Sequence, residues 1–516
     1  NLINVHDLGR GCQAALFDTP EWNPTQAGAG ANSAPCDVFF ADREVIFSRS
    51  APLLYYNGPQ AGPPRRVEDQ RICMWTELLP GARCRAFLVR TAWANWGGRQ
   101  GLCQQQQLDP CTYVDASRFD RVLAYTGNEP WSRGPISTVA TRRFSAGRTE
   151  IRMSENWSAT ADSRAWGLAC LSSASRCNTR FFRAHGGWGD RRNACLTNHH
   201  LRRFRIGVNA GESVQLREGW KLFYLGAVGD ARAAFSEYRP LPGGDFSDEF
   251  GRHGLLGWDA NTAPAAVSAG AVRLGPYEGA PSDLSLAHRI WADAKYAVDL
   301  QLGEKGAGGI AFRKAGEGHF SGAGTGCYSA TVDPCGVLSL ASSDAGVLAS
   351  VTVPDFSPAG WHTLSVTSRG FSFAVELDGI RYLSAVDDAR SFAAGYLSLA
   401  CDEGASVSFR NLRVSASGDS SPPAPVAGFA AQKGAPSPRV RLTWGNPADP
   451  DWLWTRIVRK EGGRPAHWRD GFPCYEGKLT AYTDADVTGG KEYAYAAFAV
   501  DRAGNWSAPA FAAVSP

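Results

Sequence analysis

The chain has 516 residues, of which 44% are apolar and 11% aromatic, with a formal net charge of +3. This excludes a disordered chain and calls for about three domains, while the charge singles out neither nucleic acid nor a strongly acidic partner. No run of about 18 apolar residues occurs, so no helical membrane span is predicted, and a chain opening on Asn1 is expected of a processed, secreted protein.

In chain order, the opening stretch NVHDLGRGCQAALFDTPEWNPTQAG (residues 4–28) gathers His6, Asp7, Arg10, Glu21, Trp22, Asn23 and Gln26. Carbohydrates present hydroxyl pairs and apolar ring faces; amides, carboxylates and guanidinium groups address the first, indoles the second. Pro24 restricts Asn23 to extended geometry, which fixes its amide relative to Trp22, and Gly28 and Gly30 let backbone approach a ligand. The competing expectation is a turn-forming Asp7–Arg10 ion pair with Trp22 in a core. Next, RICMWTELLPGARCRAFLVRTAW (71–93) is two apolar-rich runs about a Pro-Gly turn, a hairpin signal. WANWGGRQ (93–100) and HGGWGDRR (185–192) set Trp93, Trp96 and Trp188 beside Gly and Arg in predicted loops. There an indole either stacks on a ligand or packs its own loop flat. SVQLREGWKLFYLGAV (213–228) reads as a strand pair or one long strand. DARAAFSEY (230–238) is the one predicted helix, with Asp230 as N-cap.

Composition shifts at the Pro/Gly hinge RPLPGGDFSDEF (239–250) and again at the Ser/Pro linker SASGDSSPPAPVAG (415–428), giving segments 1–241, 242–417 and 418–516. The middle segment alternates through HTLSVTSRGFSFAVELDGIRYLSAV (362–386), half-buried antiparallel sheet with Asp378-Gly379 as a tight turn. The last segment has several short strands between turns, the pattern of a small sandwich.

Thirteen cysteines are present, nine of them before residue 200. Near pairs Cys12 and Cys36, Cys73 and Cys84, Cys103 and Cys111, and Cys327 and Cys335, with Cys170, Cys177 and Cys195 as a trio, read as disulfides of an oxidising compartment; Cys401 and Cys474 stand alone. The odd total leaves a thiol over, and no CxxC spacing points to zinc. Arginines number 45 against 8 lysines, and the first lysine is Lys221. A GC-rich coding sequence explains this blandly; the functional reading is Arg forks that recognise carboxylates or sulfates on a glycan. Asn156-Trp-Ser and Asn505-Trp-Ser are sequons.

The last segment resembles a fibronectin type III module through VRLTW (440–444), TRIVRK (455–460) and YTDADVTGGKEYAYAAFAVDRAGNWSAP (482–509). That resemblance implies a core Trp444, a corner Tyr493 whose hydroxyl ties a loop to the sheet, and a spacer without chemistry. The middle segment resembles concanavalin-like lectin/glucanase (LamG-like) jelly rolls through DFSDEFGRHGLLGWDA, GIAFR (309–313), WHTLSVTSRGFSFAVELDG (361–379) and GYLSLACDEGASVSFRNLRV (395–414). The ExDxxE pattern of glucanases on that fold is absent, so the resemblance implies a glycan-binding sandwich without implying hydrolysis. The first segment more loosely resembles the galactose-mutarotase-like supersandwich through RFDRVLAYTGNEPWSRG (118–134), SENWSATADSRAWGLAC (154–170) and NAGESVQLREGWKLFYLGAVGDARAAFSEYR (209–239). The expected class is thus all-β: a large antiparallel supersandwich, then a concanavalin-like jelly roll, then a fibronectin type III sandwich.

Two chemistries suit the first segment. A glycosidase needs two carboxyl groups about 5–9.5 Å apart, one of them protonated; Asp7, Glu21 and Glu155 are candidates. A uronate lyase needs a group that neutralises the carboxylate, here Arg10 or Asn23, and a base, here His6, His199, His200 or Tyr125. His6, Asp7, Arg10 and Glu155 are the candidate catalytic residues, and Trp22, Asn23, Gln26, Trp93, Trp96, Trp157 and Trp188 the candidate sugar contacts. The expectation is an extracellular protein that binds or processes polysaccharide. It calls for no cofactor beyond room for a structural calcium ion, no nucleic acid and no membrane span. The rival is a structural protein of a cell surface, sheath or filament that self-associates, an unpaired cysteine joining its subunits.

Overall fold

A computed structural model describes residues 215–516 apart from 261–264, 278–280, 287, 315–325 and 437. Before residue 215 it describes chiefly 36–50, 70–79, 85–95, 119–126, 134–141 and 157–172, with shorter strand segments. The fold is all-β, in antiparallel sheets. One α-helix stands among the described residues, Val228–Phe235. It begins two residues before the predicted start, and Asp230 lies in its first turn rather than capping it: the N-cap is Ala227, with no side-chain cap. Burial of Val228, Ala231 and Phe235 holds this short helix in place of a cap.

Residues before 228 build a nine-stranded sheet. Its centre is the predicted hairpin, Gln70–Leu78 against Ala86–Asn95, beside the single long strand Gln215–Ala227. Trp93 lies within the second hairpin arm, paired with Ile72 and Arg217, rather than in a loop. The middle segment is two facing sheets, one of seven strands and one of eight. Leu284, Ile310, Phe312, Leu338 and Leu399 from one meet Tyr296, Val298, Leu364, Val375 and Phe409 from the other in a single core. The predicted alternation through 362–386 is three strands, His362–Arg369, Ser372–Leu377 and Ile380–Val386. Asp378 and Gly379 both take positive φ (52° and 80°) at the second turn, the geometry a two-residue hairpin demands.

The last segment is a sandwich of three and four strands. Trp444 is buried in its core, and the Tyr493 hydroxyl accepts the Thr488 amide at 3.0 Å, tying a loop to the sheet. The spacer expectation fails. Trp75, Phe47 and Phe40 of the nine-stranded sheet share one buried cluster with Phe472, Tyr475 and Tyr482, and the Trp75 indole donates to the Cys474 carbonyl at 2.9 Å. Buried Arg456 grips both Glu218 oxygens at 3.0 Å and Glu476 at 3.0 Å. On the other side, Arg469 grips Asp259 of the middle segment at 3.1 Å. The two chain connections run side by side, Gly244 donating to the Asp419 carbonyl at 2.7 Å. The predicted solvated linker is therefore pinned to the hinge.

Cys36 and Cys335 carry free thiols, so the expected Cys12–Cys36 and Cys327–Cys335 bridges are not formed. In the second case each residue belongs to a different hydrogen-bonded turn: the Cys327 amide donates to Ser343 Oγ and the Cys335 amide to Asp333 Oδ1. Cys401 and Cys474 are free and buried. Cys73 and Cys170 are buried in sheet positions. Cys12, Cys84 and Cys177, and the side chains of Cys103 and Cys111, lie outside the described residues.

Candidate functional site

The seven-stranded sheet turns its leucines inward, and strict alternation sets a different class of side chain on its outer face. SDLSL (282–286) and YLSLAC (396–401) read this way, Leu in and Asp, Ser, Tyr or Ala out. Register then aligns the outward residues in two rows across the sheet. One runs Asp259, Ser285, Ser398, Ala311, Ser329, Ala341. The other runs Asp283, Ala400, Gly309, Thr331, Ser339, Ser350. Six strands at roughly 4.8 Å each make a row about 24 Å long. Bulk is absent from the middle of the face: a Cβ on Gly309 would stand 2.1 Å from the Ala330 carbonyl oxygen. One end and the middle of the face are closed, with Asp259, Asp283, Ser285, Ser398, Ala311 and Ala400 buried. The other end is open, with Ser329, Thr331 and Ser339 half-buried and Ser350 exposed.

A bulge builds the closed end. The register slips between Ala311 and Lys314, and Arg313 takes φ 47°. Arg313 is thereby turned aside to donate to the Ala292 carbonyl at 2.9 Å and to pair with Asp293 at 2.9 Å. Lys314 is aimed onto the outer face, where its ammonium contacts Asp283 and lies 3.0 Å from both Ser285 Oγ and Ser398 Oγ. Ser285 donates to Asp283 at 2.9 Å, and Ser285 and Ser398 share a 2.7 Å hydrogen bond. Lys314 is fully buried, so this geometry is held without competition from water. Both carboxylates on the face are ion-paired, Asp283 with Lys314 and Asp259 with Arg469. Both are also buried, so neither carboxylate is presented to a substrate.

Beside Asp259 the three segments meet. Trp468 and Trp506 stack at 4.4 Å and 8°, and His288 meets the Trp468 ring edge-on at 5.2 Å. Burial, then Arg469 and Arg456, push the His288 imidazole down to about 3. Burial, with His253 and the same two arginines, does likewise for His467. Both rings are neutral near pH 7. Asn505 of the second sequon is 2% exposed and bonded to Asp501 and Arg289, closed to glycosylation in the folded chain. Close by, Asp419, Asp451 and Asp501 bring carboxylate oxygens within 4.8 Å of one another, the one group among the described residues with the spacing a cation needs.

Of the residues singled out from sequence, Glu155 and Trp157 are drawn into the interior. Trp157 is fully buried, its indole donating to Glu155 at 2.5 Å and its ring 6.5 Å from Phe235. Glu155 also takes Arg232 at 2.6 Å and the Trp131 amide at 2.5 Å. It anchors the helix to the sheet. Tyr125 is likewise buried, its hydroxyl 3.0 Å from Ser132 Oγ and its ring beneath Arg232. His6, Asp7, Arg10, Glu21, Trp22, Asn23, Gln26, Trp96, Trp188, His199 and His200, and the side chain of Trp93, lie outside the described residues. Lys314, Asp283, Ser285 and Ser398 were not anticipated. Their signal was present as alternation of Ser and Asp with Leu, and as a scarce lysine closing GGIAFRK.

No protein-family model matches this chain, and no curated protein does. Among solved structures, a carbohydrate-binding module, CBM66, from Bacillus subtilis is similar over 31% of this chain and 96% of its own, at 20% identity and a TM-score of 0.27. Bacillus licheniformis β-glucanase is similar over 34% of this chain and 99% of its own, at 12% identity and a TM-score of 0.27. The endo-β-1,3-glucanase of Pyrococcus furiosus is similar over 33% and 92%, at 9% identity and a TM-score of 0.27.

Proposed function

We propose that this chain is a carbohydrate-binding protein whose middle sandwich takes a saccharide chain along the outer face of its seven-stranded sheet. The observation that carries the reading is the open end of the two rows, where Ser329, Thr331, Ser339 and Ser350 present hydroxyls on three neighbouring strands. Such a trough offers hydrogen-bonding partners to sugar hydroxyls. Ser329, Thr331, Ser339 and Ser350 supply the open end, and the Lys314 cluster locks the strands beneath the closed end. The burial of Asp259 and Asp283 favours binding over hydrolysis on this face.

Calorimetry with neutral β-glucan oligosaccharides tests the reading. Thr331→Trp and Ser339→Trp each place an indole on a half-buried position of the trough and leave its interior contacts alone. Binding by the parent chain that both variants lose supports the proposal. Equal binding by parent and variants, or none by the parent to any glycan, overturns it.

A further inference from the structure

The opposite side of the same sandwich, the outer face of the eight-stranded sheet, has a different chemistry. Register places Arg410, Asp299 and Thr363 in one row and Arg413, Ala297, Ser365 and Glu376 in the next. Counting along its strands, this face carries Arg273, Lys295, Arg369, Arg381, Arg410 and Arg413. Against these six cations stand Asp299 and Glu376, with Asp245 at the rim. The whole chain has a net charge of only +3, so positive charge is concentrated here.

The carboxylates are already committed. Glu376 serves two cations, Lys295 at 3.0 Å and Arg381 at 3.3 Å. Asp299 accepts Thr363 Oγ1 at 2.8 Å and Asn411 Nδ2 at 2.7 Å, which leaves the Arg410 Nε at 3.5 Å, beyond a good hydrogen bond. Arg369 and Arg413 are exposed and have no acidic partner among the described residues. Arg410 is held ready by other means. Its guanidinium lies over the half-buried Trp361 ring at 4.1 Å from the centroid. It also sits at a bulge, where the register slips opposite Ala297–Asp299 and Asn411 takes φ 53°. The bulge and the positive φ turn Arg410 and Asn411 outward together.

We propose that this face is a second saccharide site, specific for anionic polysaccharide, with Arg410 and Arg413 as the central anion-binding groups and Arg273 and Lys295 extending the track. Guanidinium forks match carboxylate and sulfate oxygens, and the hydroxyls of Thr367 and Ser408 lie between the cations to meet sugar hydroxyls. Single-stranded nucleic acid asks instead for successive aromatic platforms. This face offers Trp361, already covered by Arg410. The proposal rests on the carbohydrate-binding reading but uses the other face of the sandwich, so the two fail separately.

The test is binding of the full chain to polygalacturonate, dextran sulfate, a neutral β-glucan and oligo(dT), at salt from about 50 to 200 mM, where electrostatic attachment weakens steeply. The parent should bind one or both acidic polymers with an affinity that falls as salt rises. The uronate and sulfate arms identify which anion is read. The double variant R273Q/R413Q, altered only at exposed positions, should weaken acidic-polymer binding about tenfold and leave neutral-glucan binding unchanged. R410Q should do likewise and should also leave Trp361 fluorescence more accessible to quencher. The proposal is overturned if the acidic polymers bind no better than the neutral one, if R273Q/R413Q binds them like the parent, or if oligo(dT) binds more tightly than either. Absence of binding to every glycan would remove the carbohydrate reading itself.

Discussion

Glu77 gives the sharpest prediction about the fold. It lies 2% exposed between the nine-stranded sheet and the last sandwich, accepting the Tyr475 hydroxyl at 2.9 Å and the Lys478 amide at 3.0 Å. Burial pushes its carboxyl up from 4.5 to about 7, against the opposing pull of those donors and of Arg90. In the unfolded chain Glu77 ionises near 4.5; in the folded chain it holds its proton until about 7. The folded state therefore binds more protons across that interval, and stability falls as pH rises through it. Below pH 4.5 no loss has begun, and above 7 it is complete. A rise of this size, at about 1.4 kcal/mol per unit, is worth about 3 kcal/mol. Glu77→Gln keeps the shape and a carbonyl for Lys478 and removes the titration. Urea unfolding of parent and variant, read by tryptophan fluorescence at pH 4.5, 6, 7 and 8, isolates this one group, because every other titration is common to both. The variant should gain on the parent steadily from pH 4.5 and lead by about 3 kcal/mol at pH 8. Parallel profiles would refute the assignment of Glu77 as a carboxyl kept neutral by its burial.

Other outcomes follow from the same geometry. Lys314→Met leaves Asp283 buried without its cation and should cost about 3–5 kcal/mol, while Lys314→Met with Asp283→Leu should recover most of it; thermal melts of both decide. His467 is held down to about 3 against an ordinary 6.5, so stability is lost as pH falls below 6.5. His467→Asn, which can still accept the Arg469 amide, should outlast the parent by about 3 kcal/mol at pH 4. Asp451 and Asp501 are both pushed up, burial first and neighbouring acids contributing. Asp451→Asn should raise the melting temperature at pH 8 in low salt, with the gain shrinking as salt is added.

What was legible in the sequence was what alternation encodes. The hairpin at 71–93 and the three strands through 362–386 follow from side-chain period and turn chemistry, and both are found; the buried Trp444 was expected from a family resemblance rather than from period. The helix was legible by composition but misread at its start, because tertiary burial of Val228 and Phe235 rather than a capping side chain defines it. Glu155 and Trp157 show the limit of reading function from residue type. A carboxylate and an indole two positions apart look like a sugar site, yet here they satisfy one another and Arg232 inside the sheet. Lys314 shows the converse. Its orientation depends on a bulge that displaces one residue, and nothing in GGIAFRK says which of Arg313 and Lys314 will be turned aside. The cationic face was foreshadowed only as an excess of arginine. Concentrating six cations on one surface requires knowing which strands are neighbours, and strands distant in sequence supply them.

The last sandwich changes how the two proposed faces relate to the rest of the chain. A flexible spacer would let the middle segment turn freely, and its faces would have no direction. Instead Arg456 reaches Glu218 in the first segment, Arg469 reaches Asp259 in the second, and Arg289 reaches Asn505 at 2.7 Å. Trp468 and His288 close the gap between them. Buried pairs of this kind add little net stability relative to apolar contacts, but removing one partner is expensive, so they penalise every other arrangement. Their effect is orientation: Arg469 holds one end of the row that begins at Asp259, and the trough starts from a fixed point at the junction. The two histidines there lose stability as pH falls below 6.5, and Glu77 loses it as pH rises from 4.5 to 7. Two imidazoles outweigh one carboxyl between 4.5 and 6.5, so these three groups together hold the clamp tightest near pH 6.5.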